Sequence, residues 1–327
     1  MVHIAPDPGS KRGEQGMAAM SDDHRKIPAP AVDLYTRFIH GEIGRRAFMQ
    51  GVSRYAVAGL TATAIIEALM PNYALGQQVR KDDERISASY VTVPSPDGHG
   101  WIRGYLVRPF SADSRSATPA LLPGVIVIHE NRGLNPHTED VARRFALANF
   151  MVFAPDMLTS VGGYPGDDFK GGQLFGSLDR AKMTQDLVAA SRWLKARPDC
   201  NGKIAATGFC FGGAQANALA GILGPDLAAA APFYGAATPP AAVPNIKAAI
   251  LIHHGALDSR LAADYPAQMA ELARHNVRHE GHLWPDSVHG FFNDATPERY
   301  NASTAAQAWD RTLAWFNEHT RAAAPPA

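Results

Sequence analysis

The fold of this chain is decided by the stretch Ile204-Ala205-Ala206-Thr207-Gly208-Phe209-Cys210-Phe211-Gly212-Gly213. An apolar run typical of a buried strand leads into a Gly-x-Cys-x-Gly turn, and a helical pattern follows over residues 213–223. Such a turn needs small residues around its centre, because the central residue is strained and its neighbours pass close to adjoining backbone. The helix also points its positive end at the sulfur, which favours the thiolate. The pattern predicts that Cys210 is a nucleophile, against the alternative of an ordinary buried cysteine.

Strand-like and helix-like segments alternate on both sides of this turn. Segments 89–93 and 101–108 predict an opening hairpin, with turn residues at 96–98 between them. The further predicted strands are 124–129, 150–154, 203–208, 228–233, 247–253 and 277–284. The predicted helices are 138–148, 179–195, 213–223, 262–275 and 304–318. This alternation predicts one α/β domain, over residues 77–327, with a mainly parallel sheet and helices on both faces.

An acid and a histidine follow the turn at the places where a nucleophile would need them. Asp258 comes directly after the predicted strand 247–253, and His289 comes just after the last strand. Side chains at the carboxyl ends of parallel strands gather at one edge of the sheet. We therefore predict a triad in which His289 takes the thiol proton and Asp258 orients the imidazole.

The loop His129-Glu130-Asn131-Arg132-Gly133 follows the first buried parallel strand. Stabilising an oxyanion in this architecture takes two backbone N–H groups, and we predict those of Phe211 and Asn131. Glu130 ends an apolar strand, so its carboxylate needs a partner, which could be Cys210 or Arg132. A plain connection between strand and helix is the alternative for this loop.

Four separated motifs together resemble the dienelactone hydrolase family, and the similarity spans about residues 89–318. They are His129-Glu130-x-Arg132-Gly133, Gly208-Phe209-Cys210-Phe211-Gly212-Gly213, Gly255-x-x-Asp258 and His289-Gly290-Phe291. The resemblance implies the α/β-hydrolase fold and the hydrolysis of a small ester or lactone. It also implies that Glu130 interacts with Cys210 and helps to convert it to the thiolate when substrate enters.

Substrate contacts are predicted at Tyr234 and Arg132. Tyr234 corresponds to the tyrosine of a Phe-Tyr-Gly segment in the family, and it either lines the pocket or is a packed aromatic residue. Family members specific for dienelactone hold its carboxylate with an arginine a few residues after the histidine, where this chain has Phe291-Phe292-Asn293. Arg132 or Arg260 could bind an anion instead. We therefore expect only a weak preference for substrates with a free carboxylate.

The first 76 residues have a different character. Residues 1–31 are rich in Pro, Gly, Ser and charge, which predicts a disordered leader, and a short helical stretch follows at 33–40. The arginine pair in 44–50, the apolar run 55–70 and Ala74-Leu75-Gly76 resemble a twin-arginine export signal. This order predicts handling by the export machinery, a periplasmic location and a domain boundary after Gly76. An ordinary amphipathic helix on a cytoplasmic protein is the alternative. The apolar run is too short for a stable membrane span.

Charge and cysteine content restrict the remaining alternatives. With 31 basic and 31 acidic residues the formal charge is zero, which argues against nucleic acid as a partner. Cys200 and Cys210 are the only cysteines, and the strand between them predicts that they are not bonded to each other, so that Cys210 is a free thiol. The triad needs no metal or cofactor, and the pairs His253/His254 and His279/His282 lack the spacing of a ligand set. The alternative function is a redox-sensing binding protein with Cys210 as its sensor.

Overall fold

The computed structural model describes residues 27–39, 41–56, 61–110 and 121–321. In this part of the chain eight strands form one sheet, and they are β1 (Ile86–Ser95), β2 (Gly100–Pro109), β3 (Leu122–Ile128), β4 (Met151–Pro155), β5 (Cys200–Phe209), β6 (Ala229–Phe233), β7 (Ala249–Gly255) and β8 (His279–Trp284). Their spatial order is β1-β2-β4-β3-β5-β6-β7-β8. The pairs β1–β2 and β2–β4 are antiparallel, and all others are parallel. The mainly parallel sheet predicted from the sequence is confirmed.

The described helices are α1 (Ala29–Ile39), α2 (Arg45–Ser53), α3 (Ala62–Leu69), α4 (Tyr73–Gly76), α5 (Pro136–Leu147), α6 (Asp168–Gly176), α7 (Arg180–Lys195), α8 (Phe211–Leu223), α9 (Ser259–Arg274) and α10 (Ala302–Thr320). The five helices predicted for the domain are present as α5 and α7 to α10. Helix α6 was not predicted, because Gly171 and Gly172 lie in its centre and glycine disfavours helices. Its first turn is capped by Asp167, whose carboxylate accepts the Lys170 N–H at 2.7 Å.

The two faces of the sheet are covered by different helices. Alternate residues of β3 point to opposite faces, with Ile126 and Ile128 in one core cluster and Val125 and Val127 in the other. Residues of α7 and α8 complete the first cluster, and residues of α5 and α10 complete the second. A strand that is buried on both faces must be apolar at every position, which explains its continuous hydrophobic run.

Helices α1 to α3 form a third, smaller core of their own. Tyr35, Phe48, Val52 and Ile65 are among its buried members. Of the predicted disordered leader, residues 1–26 lie outside the described part of the chain, whereas α1 already begins at Ala29. The arginine pair opens α2, and the apolar run continues into α3 beyond the undescribed residues 57–60. The export signal and the boundary after Gly76 stay predictions. None of the helices described here is long and apolar enough to cross a membrane.

Candidate active site

Cys210 lies in the sharp turn between β5 and α8. Its backbone has φ 55° and ψ −109°, outside the regions that non-glycine residues usually occupy. The turn is held by a hydrogen bond from the Cys210 N–H to the Phe233 carbonyl at 3.1 Å. A Cβ atom at Gly212 would lie 2.1 Å from the Ile128 carbonyl oxygen, and one at Gly208 would lie 2.3 Å from the Gly212 oxygen. The predicted strain and the need for glycine on both sides are therefore confirmed.

The structure brings the three predicted triad side chains together at the carboxyl edge of the sheet. Asp258 follows β7 and caps α9, where one of its oxygens accepts the Leu261 N–H at 3.3 Å. The other oxygen lies 2.6 Å from Nδ1 of His289. The His289 ring, which is only 4% exposed, also forms a side-chain hydrogen bond with Cys210. A single chain of hydrogen bonds thus runs from the carboxylate through the imidazole to the sulfur.

The charge on this cluster favours a protonated histidine. Burial alone lowers the pKa of His289, but a negative Cys210 and the hydrogen bond that His289 donates to Asp258 outweigh it and raise the pKa to about 9. Burial also disfavours the charged form of Asp258, which raises its pKa. The hydrogen bond with His289 outweighs this effect, so the pKa of Asp258 falls below its ordinary value. An imidazolium between a carboxylate and a thiolate is the arrangement that these shifts support.

The two N–H groups predicted for the oxyanion come from the start of α8 and from the loop after β3. Phe211 is the first residue of α8, so its N–H has no acceptor within the helix. Its ring packs edge-on against Phe175 of α6, with the centroids 4.7 Å apart. Asn131 lies in the loop, and its side-chain Nδ2 donates to the Ile39 carbonyl of α1 at 2.6 Å. Their roles as oxyanion donors stay predictions.

His129 fixes the loop that carries Glu130 and Asn131, and sequence reasoning had given it no role. Its Nδ1 contacts the Glu130 carbonyl, and its Nε2 accepts the Met157 N–H at 3.0 Å. Burial lowers the pKa of His129, which suits a neutral ring that donates on one side and accepts on the other. A histidine at the end of a fully buried strand was the signal that could have identified it.

Glu130 is buried at the end of β3, as predicted, but it is not paired with Arg132. Within the described ranges no ion pair joins the two side chains, and the Arg132 guanidinium instead reaches the Ile39 carbonyl at 3.5 Å. A Cβ atom at Gly172 would lie 2.0 Å from Nη1 of Arg132, so the arginine packs against α6. Arg132 was offered as a partner of Glu130 because it is close in sequence, and the turn of the loop directs it elsewhere. That alternative is wrong.

Tyr234 packs against the catalytic histidine candidate. It is 1% exposed, has φ 37°, and its ring centroid lies 4.9 Å from that of His289. Its hydroxyl has no hydrogen-bond partner among the residues that the structure describes. Burial raises its pKa well above 10, and the charge of Glu130 adds to the effect, so the hydroxyl stays neutral. A contact between this hydroxyl and a substrate stays a prediction.

Arg299 is a residue of the site that the sequence did not reveal. It is 4% exposed, and its guanidinium lies over the Tyr35 ring of α1, 5.2 Å from the centroid. Its Nε and Nη1 have no hydrogen-bond partner in the described part of the chain. A Cβ atom at Gly290 would lie 2.7 Å from Nη1 of Arg299. The guanidinium therefore packs against the residue that follows His289 in the sequence. Arg299 follows His289 by ten residues in the sequence, and the fold brings it back against Gly290.

The histidine pairs considered for a metal site take part in packing. His253 contacts Thr312 of α10 through Nε2 at 3.2 Å, whereas Nε2 of His254 contacts Gln268 of α9 at 3.1 Å on the other face. His282 lies 2.7 Å from Glu280. Across the ranges given above, no group of three or more His, Cys, Asp or Glu side chains could hold a metal ion. Cys200 and Cys210 form no disulfide with each other, as predicted.

Comparison with known families places these motifs in a wider context. Residues 102–320 match the sequence model of the dienelactone hydrolase family. A "Putative hydrolase fragment YghX" of Escherichia coli (strain K12) is 52% identical over 120 residues, which are 37% of this chain and 97% of the relative. A "Putative carboxymethylenebutenolidase" of Escherichia coli O157:H7 is 27% identical over 257 residues, covering 74% of this chain and 90% of the relative.

Solved structures show the same similarity. A "Putative Dienelactone Hydrolase" from Klebsiella pneumoniae matches with a TM-score of 0.60 and 26% identity, over 71% of this chain and 99% of that chain. A dienelactone hydrolase-like promiscuous phosphotriesterase from metagenomic libraries matches with a TM-score of 0.60 and 26% identity, over 72% and 100%. Brefeldin A esterase, at 14% identity and a TM-score of 0.55, shares the fold. The fold is therefore that of the α/β-hydrolases, as predicted.

Proposed function

The chain belongs to the dienelactone hydrolase family and is a hydrolase of that family, and on this premise we propose that it cleaves a small ester or lactone with Cys210 as nucleophile. Asp258 and His289 complete the proposed triad. The substrate is a small molecule, and the mechanism relies on side chains and backbone N–H groups of this chain.

The observation that carries the proposal is the connected series of contacts from Asp258 through His289 to Cys210. The Asp258–His289 distance of 2.6 Å fixes the ring so that its other nitrogen faces the sulfur. The raised pKa of His289, about 9, supports an imidazolium beside a thiolate at neutral pH. A thiolate attacks a carbonyl without first needing a base, which suits a cysteine at the start of a helix.

In the proposed reaction the Cys210 sulfur forms a bond to the carbonyl carbon, and the electron pair of the C=O bond moves onto oxygen. The N–H groups of Phe211 and Asn131 stabilise this oxyanion. As the C–O bond to the leaving alcohol breaks, the His289 imidazolium gives that oxygen its proton, and a thioester remains on Cys210. A water molecule then attacks the thioester, with neutral His289 taking its proton. The acid leaves, and the thiolate and imidazolium are restored.

Glu130 is proposed to tune the nucleophile. Burial has the largest effect on the pKa of the Tyr234 hydroxyl and raises it. The negative charges of the nearby Glu130 and Cys210 raise that pKa further. A negative charge at this position opposes a second one on the sulfur. A substrate that moves Glu130 away from the sulfur would therefore stabilise the thiolate form of Cys210. This is the role that the family resemblance implies for Glu130.

The test is hydrolysis of p-nitrophenyl acetate by Cys210→Ala, with Cys200→Ala as the matched control. Removal of the nucleophile is expected to lower kcat by roughly 10⁴ or more. Cys200 is a buried residue at the start of β5, away from the turn, so its replacement should leave the rate nearly unchanged. Retained activity in Cys210→Ala would remove Cys210 from the mechanism.

Mass spectrometry of the wild-type protein separates the enzyme from the redox-sensing alternative. After brief exposure to the ester, an acetyl group on Cys210 supports covalent catalysis. A Cys210 that is oxidised or unchanged, together with no turnover, would favour the sensor.

A further inference from the structure

Helix α1 lies across the candidate active site rather than beside it. Its last carbonyl, that of Ile39, accepts hydrogen bonds from the side chains of Asn131 at 2.6 Å and Arg132 at 3.5 Å. One turn earlier, the ring of Tyr35 is buried beneath the guanidinium of Arg299. The helix is therefore fastened both to the loop after β3 and to the segment after His289, which are the two loops that frame Cys210.

A cavity of about 880 Å³ lies between α1 and the triad. Asp258 and His289 line it on the side of the sheet, and Val32, Thr36 and Arg37 line it on the side of α1. The volume is within the range of natural ligand sites. Because the cavity reaches both triad partners of Cys210, a group attached to the ester would extend into it, and α1 would form one of its walls.

Five apolar side chains line this cavity, and they are Ile27, Val32, Leu257, Val288 and Pro297. The other nine lining residues are polar or charged, among them Asp33, Arg260 and Glu298. The basic side chain of Arg37 at the edge lies 3.6 Å from Glu42, which compensates its charge. The methylene groups of an acyl chain gain free energy where they leave water to pack against the five apolar side chains, at roughly 0.8 kcal/mol per methylene group.

We propose that α1 is part of the working active site and selects esters whose acyl group is long enough to reach it. This inference rests on the proposed function. It follows that residues 29–76 are retained in the enzyme and are not removed by cleavage after Gly76, since that cut would take away a wall of the pocket.

The residues around Gly76 are themselves built into the domain. The Asn72 N–H donates to the Ala295 carbonyl at 2.6 Å, and the Tyr73 hydroxyl donates to Asp168 at 2.7 Å. A Cβ atom at Gly76 would lie 2.6 Å from the Ala295 backbone nitrogen. Arg144 of α5 donates to the Gly76 carbonyl at 3.1 Å. The small residue at the predicted cleavage site is thus required by packing.

The first experiment compares p-nitrophenyl octanoate with p-nitrophenyl acetate, which share their leaving group. Thr36→Trp places a large ring in the cavity from α1. The ratio of kcat/KM for octanoate to that for acetate is expected to fall roughly tenfold, the equivalent of about two methylene groups losing their burial. Thr63→Trp is the matched control, because Thr63 is an exposed residue of α3 that does not line the cavity. This control should leave the ratio unchanged.

The outcomes separate this inference from the proposed function. A Thr36→Trp protein that keeps the wild-type ratio, or a Thr63→Trp protein that lowers it equally, overturns the role of α1. Failure of the wild-type protein to turn over even the acetate would instead contradict the proposed function.

The second experiment measures the intact mass of the full-length gene product made in cells that contain the twin-arginine machinery. A mature N-terminus ahead of Ala29 is the expected result. An N-terminus at Gln77 in the active protein would overturn the retention of α1.

Discussion

His289 sets the pH range in which the proposed nucleophile is active. Burial lowers its pKa, but the Cys210 charge and the Asp258 hydrogen bond raise the pKa to about 9. Below that pH the ring is protonated and can give a proton to the leaving alcohol, and above it the proton is lost. We expect kcat/KM for an ester to fall by about tenfold per pH unit above roughly pH 9. Initial rates from pH 6 to 10.5, corrected with Cys210→Ala as the blank, measure this.

Asp258→Asn provides the control for that pH dependence. The substitution keeps the shape of the side chain but removes the charge that helps to hold a proton on His289. The falling part of the pH profile should therefore move to lower pH. A profile that keeps rising beyond pH 9, or that is the same in both proteins, would contradict the assignment to His289.

Single residues differed in how far the sequence could identify them. Cys210, Asp258 and His289 were predicted because each follows a recognisable strand, and strand ends gather at one edge of the sheet. His129 and Arg299 were not, since their roles depend on contacts with Met157 and Tyr35, which no local pattern links to them. Arg132 was predicted near the site, and its direction toward α1 depends on Ile39, which lies in the short helix predicted at 33–40, outside the predicted domain.

At the scale of elements, the junction of β5 and α8 depends on Gly212. An added methyl group would lie 2.1 Å from the Ile128 carbonyl oxygen, which belongs to the central strand β3 and cannot move aside. Gly212→Ala is therefore expected to lower the free energy of unfolding by about 3 kcal/mol, the upper end of the usual cost of overpacking. Urea denaturation followed by circular dichroism measures the loss.

Gly176→Ala is the matched substitution at a helix end. Nothing lies within 4 Å of the added Cβ, and the residue is exposed. Replacing glycine by alanine at such a position should be neutral or should stabilise by about 0.4 to 1 kcal/mol. If both variants unfold at the same urea concentration, the close approach of β3 and α8 does not constrain the turn.

The strands were easier to predict than the helices around them. Strands β3, β4 and β6, and β5 from Ile204 onward, are buried on both faces, so their sequences are mostly apolar runs. Helix α6 has no such signal, because its stability comes from its position against Arg132 and the Phe211 ring. The helices α1 to α4 are short, and their pattern of charge followed by apolar residues is shared by export signals and by small packed helices. Tertiary contacts distinguish the two.

For the whole molecule, the N-terminal helices and the hydrolase domain should unfold as one unit. Tyr73 of α4 joins them, since its hydroxyl donates to Asp168 at 2.7 Å and accepts from Nδ2 of Asn135 at 2.9 Å. Tyr73→Phe removes both bonds and leaves Asp168 with the Tyr164 hydroxyl at 2.8 Å. We expect the free energy of unfolding to fall by about 2 kcal/mol, because hydrogen bonds to charged groups contribute more than neutral ones.

The shape of the transition decides whether that loss belongs to the whole molecule. Tyr300→Phe is the control, since its half-buried hydroxyl has no hydrogen-bond partner in the part of the chain described here. If α1 to α4 are integral to the fold, Tyr73→Phe should shift a single cooperative transition and Tyr300→Phe should leave it in place. A separate early transition in Tyr73→Phe, with the domain unfolding at its wild-type midpoint, would mean that the N-terminal helices are an independent attachment. The second result would also free α1 to leave the site, and substrate selection would then have to come from the domain alone.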